Sequence, residues 1–514
     1  MGEGEKAVAT FERCKQLRSP WEALLQECYD YTMPHKESLF VEAEGQRKTT
    51  RIYDETAVVG VQEFANRIQD GMMPPFQQWA MLVAGSDVPQ EERPEVNASL
   101  SRVNAYIMEA IGQSSAASEI NEALLDCAVS VGGLEIRRGT AVEPLSVRAI
   151  PMSRLFIDNG PSGRVDTICM VETLRADKIE AKWPKAKLSD ELRKRAADAA
   201  DPARKTQPEK FVVMVQRVYG PDEAWTELVV HHETKHVIHR KTHQGIGSCP
   251  YIVFRWAKLA GETWGRGPVV NVLPAIKTVN LTMELILENA EFAITGLYQA
   301  EDDGIINPDT IQIVPGTIVP HAPGSEGLRR VETAGDFDVG NLILAEMRQN
   351  IRRGLYNEQM GNQMGGKTPI SAQEVAERQA DLARMIGASF ARIVYELVNP
   401  FITRVAYVLR EMGLIDLPAI DGRTVRVLPK GPLARAQHMQ HISAFGQWAN
   451  QYGSIYGPEA LSVASKREEV GPWLAEMHGV PADKIRTAQE QQQLIEQQQE
   501  AMQQQGAMGG PQQG

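Results

Sequence analysis

Cysteine is scarce and unpaired in this 514-residue sequence. Cys14, Cys28, Cys127, Cys169 and Cys249 are odd in number, scattered, and form no CxxC. That spacing argues against a disulfide framework and a cysteine-built zinc site, and for a reducing compartment with buried or idle thiols. Long apolar runs are missing too. None reaches the length that spans a bilayer, so no membrane partner is expected, and the opening MGEGEKAVAT lacks the apolar core of a signal peptide. Basic charge is in deficit, with 54 Lys and Arg against 66 Asp and Glu and a net charge of −12. Such a surface argues against tight wrapping of nucleic acid, which needs cations to neutralise phosphates. What remains, 43% hydrophobic and 23% charged residues, is ordinary globular composition with length for three or four structural units.

The stretch that organises the chain runs from Leu273 to Tyr356. A helix is expected from Pro274, whose fixed φ and missing N–H suit the first helical position. Ile276, Val279, Met283, Ile286, Ala290 and Ile294 recur at helical spacing, Glu284, Glu288 and Glu291 mark a separate acidic face, and Gly296 is the stop. Such a helix is roughly 33 Å long. A second helix, Asn341 to Tyr356, aligns Ile343, Met347, Ile351 and Leu355, with Arg348 and Arg352 one turn apart on another face. Between them INPDTIQIVPGTIVP (Ile306–Pro320) is β-branched and broken by prolines, which is strand-and-turn chemistry. The pattern is a stalk carrying a small β tip.

Upstream, Ala7 to Tyr31 is expected as a helix in two pieces, because Ser19-Pro20-Trp21-Glu22 reads as an N-cap, first-turn proline and capping Glu. Asp54 caps a helix running to Gly71, and further helices are expected at Glu95–Gln113 and Ser118–Val131. From Leu134 the period becomes strand-like. Leu145–Ile150 and Arg164–Thr173 are strands, Lys178–Ala199 a charged helix, and Phe211–Tyr219 with Trp225–His232 a hairpin that Val237–Arg240 and Tyr251–Trp256 extend. Downstream, Ser371 and Glu374 form a capping box before a long helical signal with a kink or break at Pro400. Pro429 to His478 reads as a smaller helical unit, and Gln489–Gly514 is Gln-rich with too few apolar residues for a core.

Two motifs imitate enzymes. HETKH (His232–His236) fits the H-E-x-x-H pattern of zinc peptidases, which needs both histidines on one helical face. Here β-branched flanks favour strands, so the motif becomes a hairpin tip. GNQMGGKT (Gly361–Thr368) fits the P-loop pattern, which needs a preceding strand and a helix starting at the Lys. A helix precedes it and Pro369 follows. A zinc metallopeptidase and a P-loop nucleotide hydrolase are therefore the alternatives, and the expectation is no enzyme, no cofactor and no metal.

Several blocks together resemble one family, the portal (head-to-tail connector) proteins of short-tailed bacteriophages. They are Arg18, Trp21, Glu22, Tyr31 and Pro34; IYDETA (Ile52–Ala57); Gly71, Pro74, Pro75 and Trp79; and the long block Thr368–Ile415, with a capped EV helix, a glycine and E-L-x-x-P. The resemblance implies an α+β, mainly α, portal fold. Its parts would be a wing (1–265), first stem helix (266–296), clip (297–340), second stem helix (341–356), tunnel loop and wing helices (357–428), a crown (429–488) and a tail or barrel (489–514). It also implies a homo-oligomeric ring, usually of twelve subunits, at one capsid vertex of the virion. Expected partners are the terminase large subunit, tail adaptors, major capsid and scaffolding proteins, and double-stranded DNA in transit. Glu284, Glu288, Glu291 and Lys367 are then candidates for the channel, Gly361, Gly365, Gly366 and Lys367 for the tunnel loop, and Ile306, Ile311, Ile313 and Ile318 for the clip surface that meets terminase and adaptors. An acidic lining centres DNA by repulsion where a basic one would hold each phosphate.

Overall fold

The computed structural model describes residues 2–36, 52–75, 77–89, 91–201, 206–220, 223–295, 297–300, 328–331, 337–357, 385–417 and 420–465, with a few isolated neighbours. The chain enters through one continuous helix, α1 (Glu3–Thr32), with Pro20 inside it. The break expected at Ser19-Pro20 is absent. An interior proline costs about 3 kcal/mol, and contacts on both sides of Pro20 offset it. The first half of α1 lays Ala7, Val8, Phe11 and Cys14 on a sheet, while Leu25, Cys28 and Tyr29 enter the main core. Between them Arg18, only 3% exposed, donates to the carbonyls of Met152, Ser153 and Leu155 at 2.8–3.1 Å and stacks over Phe156.

Next come α2 (Thr56–Met72), whose Thr56 N–H is accepted by Asp54, β1 (Ala80–Ala84), α3 (Arg93–Gly112) and α4 (Ala116–Val129). β1 was not apparent as a strand. Its partner lies at the other end of the chain, where the fully buried Ala80–Ala84 run pairs antiparallel with Val425–Pro429. β2 (Val131–Arg138) and β3 (Leu145–Ala149) follow, then β4 (Leu155–Asn159) and β5 (Val165–Leu174). The expected charged helix over Lys178–Ala199 is instead two pieces, α5 (Ile179–Lys182) and α6 (Asp190–Ala200), the second capped by Ser189. Trp183 and Leu188, between the pieces, are buried, and driving them inward bends the chain out of one helix.

β6 (Glu209–Val218), β7 (Ala224–His231) and β8 (Val237–Gln244) complete a five-stranded antiparallel sheet in the order β4-β5-β6-β7-β8. β9 (Tyr251–Arg255) does not extend that sheet as expected. It pairs with β2 in a separate three-stranded sheet, β3-β2-β9. Strands β5 and β6 at the middle of this sheet are buried on both faces: Cys169, Val171, Val212 and Met214 meet α1, and Ile168, Met170, Phe211 and Val213 meet the main core. This explains the unbroken apolar runs of β5 and β6.

The seam between the two sheets is ionic. Glu135 and Arg137 of β2, Arg148 of β3, Glu172 of β5, Lys182 of α5, Glu227 of β7 and His243 of β8 form one connected network, with Tyr251 hydrogen-bonded into it. Glu227 is 0% exposed. Burial opposes its charge, but His243 and Arg137 hold its carboxyl well below the usual range.

The paired helices are α7 (Pro268–Thr295) and α8 (Phe337–Gly354), joined at their far end by a ribbon of β10 (Leu297–Ala300) and β11 (Leu328–Val331). α7 starts a turn and a half before the expected Pro274, which lies inside the helix, and α8 starts before Asn341. The remainder is α9 (Gly387–Ile393), a π-helical turn at Val394–Val398, α10 (Asn399–Glu411), β12 (Val425–Pro429), α11 (Pro432–Tyr456) and α12 (Pro458–Ala464). Pro400 sits in the first turn of α10, directly after the π-helical turn, in agreement with the expected irregularity. The class is α+β, mainly α. All five cysteines are free, and burial pushes Cys28 and Cys249 up to about 12, as fits idle thiols.

Candidate functional site

The helical pair is anchored at its base and open along its length. Ile276 and Val279 of α7 and Leu344, Ile351 and Leu355 in and after α8 are buried. Leu344 takes the buried place expected for Ile343, which is 41% exposed. The helices meet so closely that a Cβ on Gly354 would lie 2.1 Å from Val272 Cγ1. Arg348 clasps Asp54 at 2.6 Å, and the Tyr53 N–H donates to Asn280 Oδ1 at 2.8 Å. At the end of α8, Tyr356 turns through positive φ, its carbonyl accepts from Arg67, and buried Asn357 donates to Gly60 O. The polar anchors were not legible, because each joins positions more than two hundred residues apart.

Toward the ribbon, α7 exposes Leu281, Leu285, Leu287 and Ile294. Its Pro268–Glu291 segment is long and apolar enough, by length and composition, to cross a membrane, which corrects the expectation that no such run exists. With about 100° of turn per residue, Glu284, Glu288 and Glu291 share one face, roughly opposite Val279 and Ile286. Leu281 and Leu285 border that face on one side, Leu287 and Ile294 on the other. Glu288 and Glu291 are exposed; Glu284 is half-buried and accepts from the Tyr53 hydroxyl, which holds that phenol above its ordinary pKa. Four ionisable groups in the segment (Lys277, Glu284, Glu288, Glu291) suit water better than hydrocarbon. Arg348 pairs within the chain with Asp54.

The HETKH tip is a tight turn between β7 and β8, not a helix. Lys235 takes positive φ and donates to His231 O, while α1 packs so close that a Cβ on Gly4 would overlap Lys235 O at 2.0 Å. His232 faces Phe11 and Glu12 of α1, and His236 Nε2 bonds the Lys187 carbonyl at 2.9 Å. The two motif histidines therefore cannot share a metal. Gly361, Gly365, Gly366 and Lys367, the Ser371–Glu374 box, and Ile306, Ile311, Ile313 and Ile318 lie outside the described residues.

A family model described as bacteriophage head to tail connecting protein matches residues 5–486. The chain belongs to this family, whose members are portal and connector components of the virion's head–tail junction and are structural, not enzymatic. The probable portal protein of Bordetella phage BPP-1 is 20% identical over 488 residues, covering 90% of this chain and 85% of that protein. Among solved structures, a chain from the virion of a native gene transfer agent particle gives a TM-score of 0.35 at 11% identity, covering 78% of this chain and 90% of that one. A chain from the neck of an empty gene transfer agent particle gives 0.33 at 12% identity, with 85% and 94% covered.

Proposed function

We propose that the chain closes into a ring at the unique capsid vertex of a short-tailed phage and conducts double-stranded DNA during packaging and ejection. The observation that supports this reading is the exposed side of α7, an acidic stripe bordered on both flanks by exposed leucine and isoleucine. Neighbouring copies related by rotation would cover the apolar flanks, leaving the glutamates toward the lumen, where they repel phosphates and keep the duplex moving. The α7–α8 pair is then the stem, and residues 297–340, which include the β10–β11 ribbon, the clip that receives terminase and tail adaptors. The residues before α7 form the wing, Pro429 onward the crown, and the loop with Lys367 touches DNA in the tunnel.

Negative-stain imaging of the purified chain tests the ring: closed rings with a central hole are expected, and a stable monomer at micromolar concentration overturns the reading. Conduction is tested in procapsids. Glu284→Lys with Glu288→Lys and Glu291→Lys should leave rings intact and shorten packaged DNA. Wild-type packaging by that variant would remove these residues from the channel.

A further inference from the structure

One cluster away from the stem has ligand chemistry that a conduit does not use. At the end of the five-stranded sheet, Glu209 opens β6 and His231 closes β7, with His231 Nε2 3.1 Å from Glu209 Oε2. Glu233, in the following turn, brings a second carboxylate, and the ligand atoms of all three lie within 4.8 Å of one another. They line a cavity of about 390 Å³ between this hairpin and α6. His231 is 1% exposed, and its Nδ1 lies 2.8 Å from Thr234 Oγ1. The Thr234 N–H also donates to Nδ1, at 3.4 Å, so Nδ1 accepts and the ring proton sits on Nε2, donated to Glu209; a metal ion would take the place of that proton.

A cation already bridges the two carboxylates. Arg195 Nη1 lies 2.9 Å from Glu209 Oε2 and 3.0 Å from Glu233 Oε2. That guanidinium stands where a metal ion would stand. Arg195 is one-third exposed on α6 and also holds Glu191, one turn back on its own helix, so it can swing outward and keep a partner.

We propose that Glu209, His231 and Glu233 form a binding site for a divalent first-row transition ion, entered when Arg195 moves aside. One imidazole and two carboxylates suit zinc and its neighbours, not magnesium or calcium, which take oxygen ligands. At a metal–ligand distance of about 2.1 Å, tetrahedral ligand atoms sit roughly 3.4 Å apart. The His231–Glu209 spacing is already near this, and Glu233, 67% exposed on the turn, can close the rest. The fourth position faces the cavity. The site is structural: Glu233 is spent as a ligand, the His232 ring packs on Phe11 and His236 bonds the Lys187 carbonyl, so no peptidase base or second histidine joins the ligand set. Its effect is to tie the β6–β7 edge to the turn that α1 packs upon.

The test uses the full, tag-free chain, with zinc as the probe and magnesium as the control. Calorimetric titration should give one zinc per chain and a raised melting temperature that a chelator reverses, with no response to magnesium. Glu233→Gln, an exposed change that does not threaten the fold, should weaken zinc at least about tenfold. Arg195→Gln, which removes the competing cation, should tighten it roughly three- to tenfold. No zinc binding overturns the proposal, as does binding whose affinity is unchanged in both variants, since such binding resides on other histidines.

Discussion

The seam between the two sheets and the exposed side of α7 handle unfavourable surface in opposite ways. At the seam three buried carboxylates meet three basic side chains and His243, and the charge is answered within the chain. On α7, Leu281, Leu285, Leu287 and Ile294 are exposed. A monomeric fold would be expected to hide them, since contiguous exposed apolar surface marks interaction sites. The two sheets answer their buried charge from within the chain, whereas on the ring reading the apolar flanks of α7 are covered by neighbouring copies.

The largest effect expected from breaking that contrast is at the seam. Glu227→Ala leaves Arg137 and His243 without their shared carboxylate and should destabilise the chain by about 3–5 kcal/mol, read as a shifted urea midpoint. Next is the base of the α7–α8 pair. Gly354→Val forces side-chain atoms into Val272 and should cost about 1–3 kcal/mol by overpacking, read as a shifted urea midpoint. Acidification sharpens the comparison further. Glu227 and Glu135 are held below their ordinary pKa, despite burial, by His243 with Arg137 and by Arg137 with Arg148 respectively. The unfolded chain therefore binds more protons below the ordinary Glu value of about 4.3, so stability is present above that pH and falls as pH drops toward the folded values. Each such carboxylate contributes a slope of up to about 1.4 kcal/mol per pH unit, and Glu227→Gln should flatten the decline in urea melts run from neutral to acid pH. The smallest effect on folding is expected from Leu281→Glu with Leu285→Glu. Exposed positions shift stability by no more than about 0.5 kcal/mol each, yet on the ring reading this pair should abolish assembly by light scattering. Intact rings in the double variant would place the subunit interface elsewhere.

Much of the helical pair was legible because its burial is local. The alternation of Ile276, Val279, Met283 and Ile286 is a property of one helix, and the acidic face of Glu284, Glu288 and Glu291 follows from the same period. The hairpin around His232 was legible for the same reason, since β-branched flanks specify strands regardless of what packs on them. The site at Glu209, His231 and Glu233 was not: the motif drew attention to His232 and His236, while the residue turned toward Glu209 was their neighbour His231. In a strand, adjacent side chains face opposite sides, and only the packing of α1 on one side shows which histidine turns inward.

The sequence by itself determined the order of elements, the paired helices with a β-rich join, the absence of a disulfide or CxxC chemistry, and the family. Tertiary structure decided what depends on partners distant in the chain. It kept α1 whole through Pro20, because burial of Arg18, Phe11 and Leu25 outweighs the lost hydrogen bond. It made Ala80–Ala84 a strand by supplying Val425–Pro429 as its edge, and it moved Tyr251–Arg255 into a second sheet beside β2. It also chose which charges are buried together. Local periodicity reports one element's face, whereas the identity of the opposing face is a property of the folded whole.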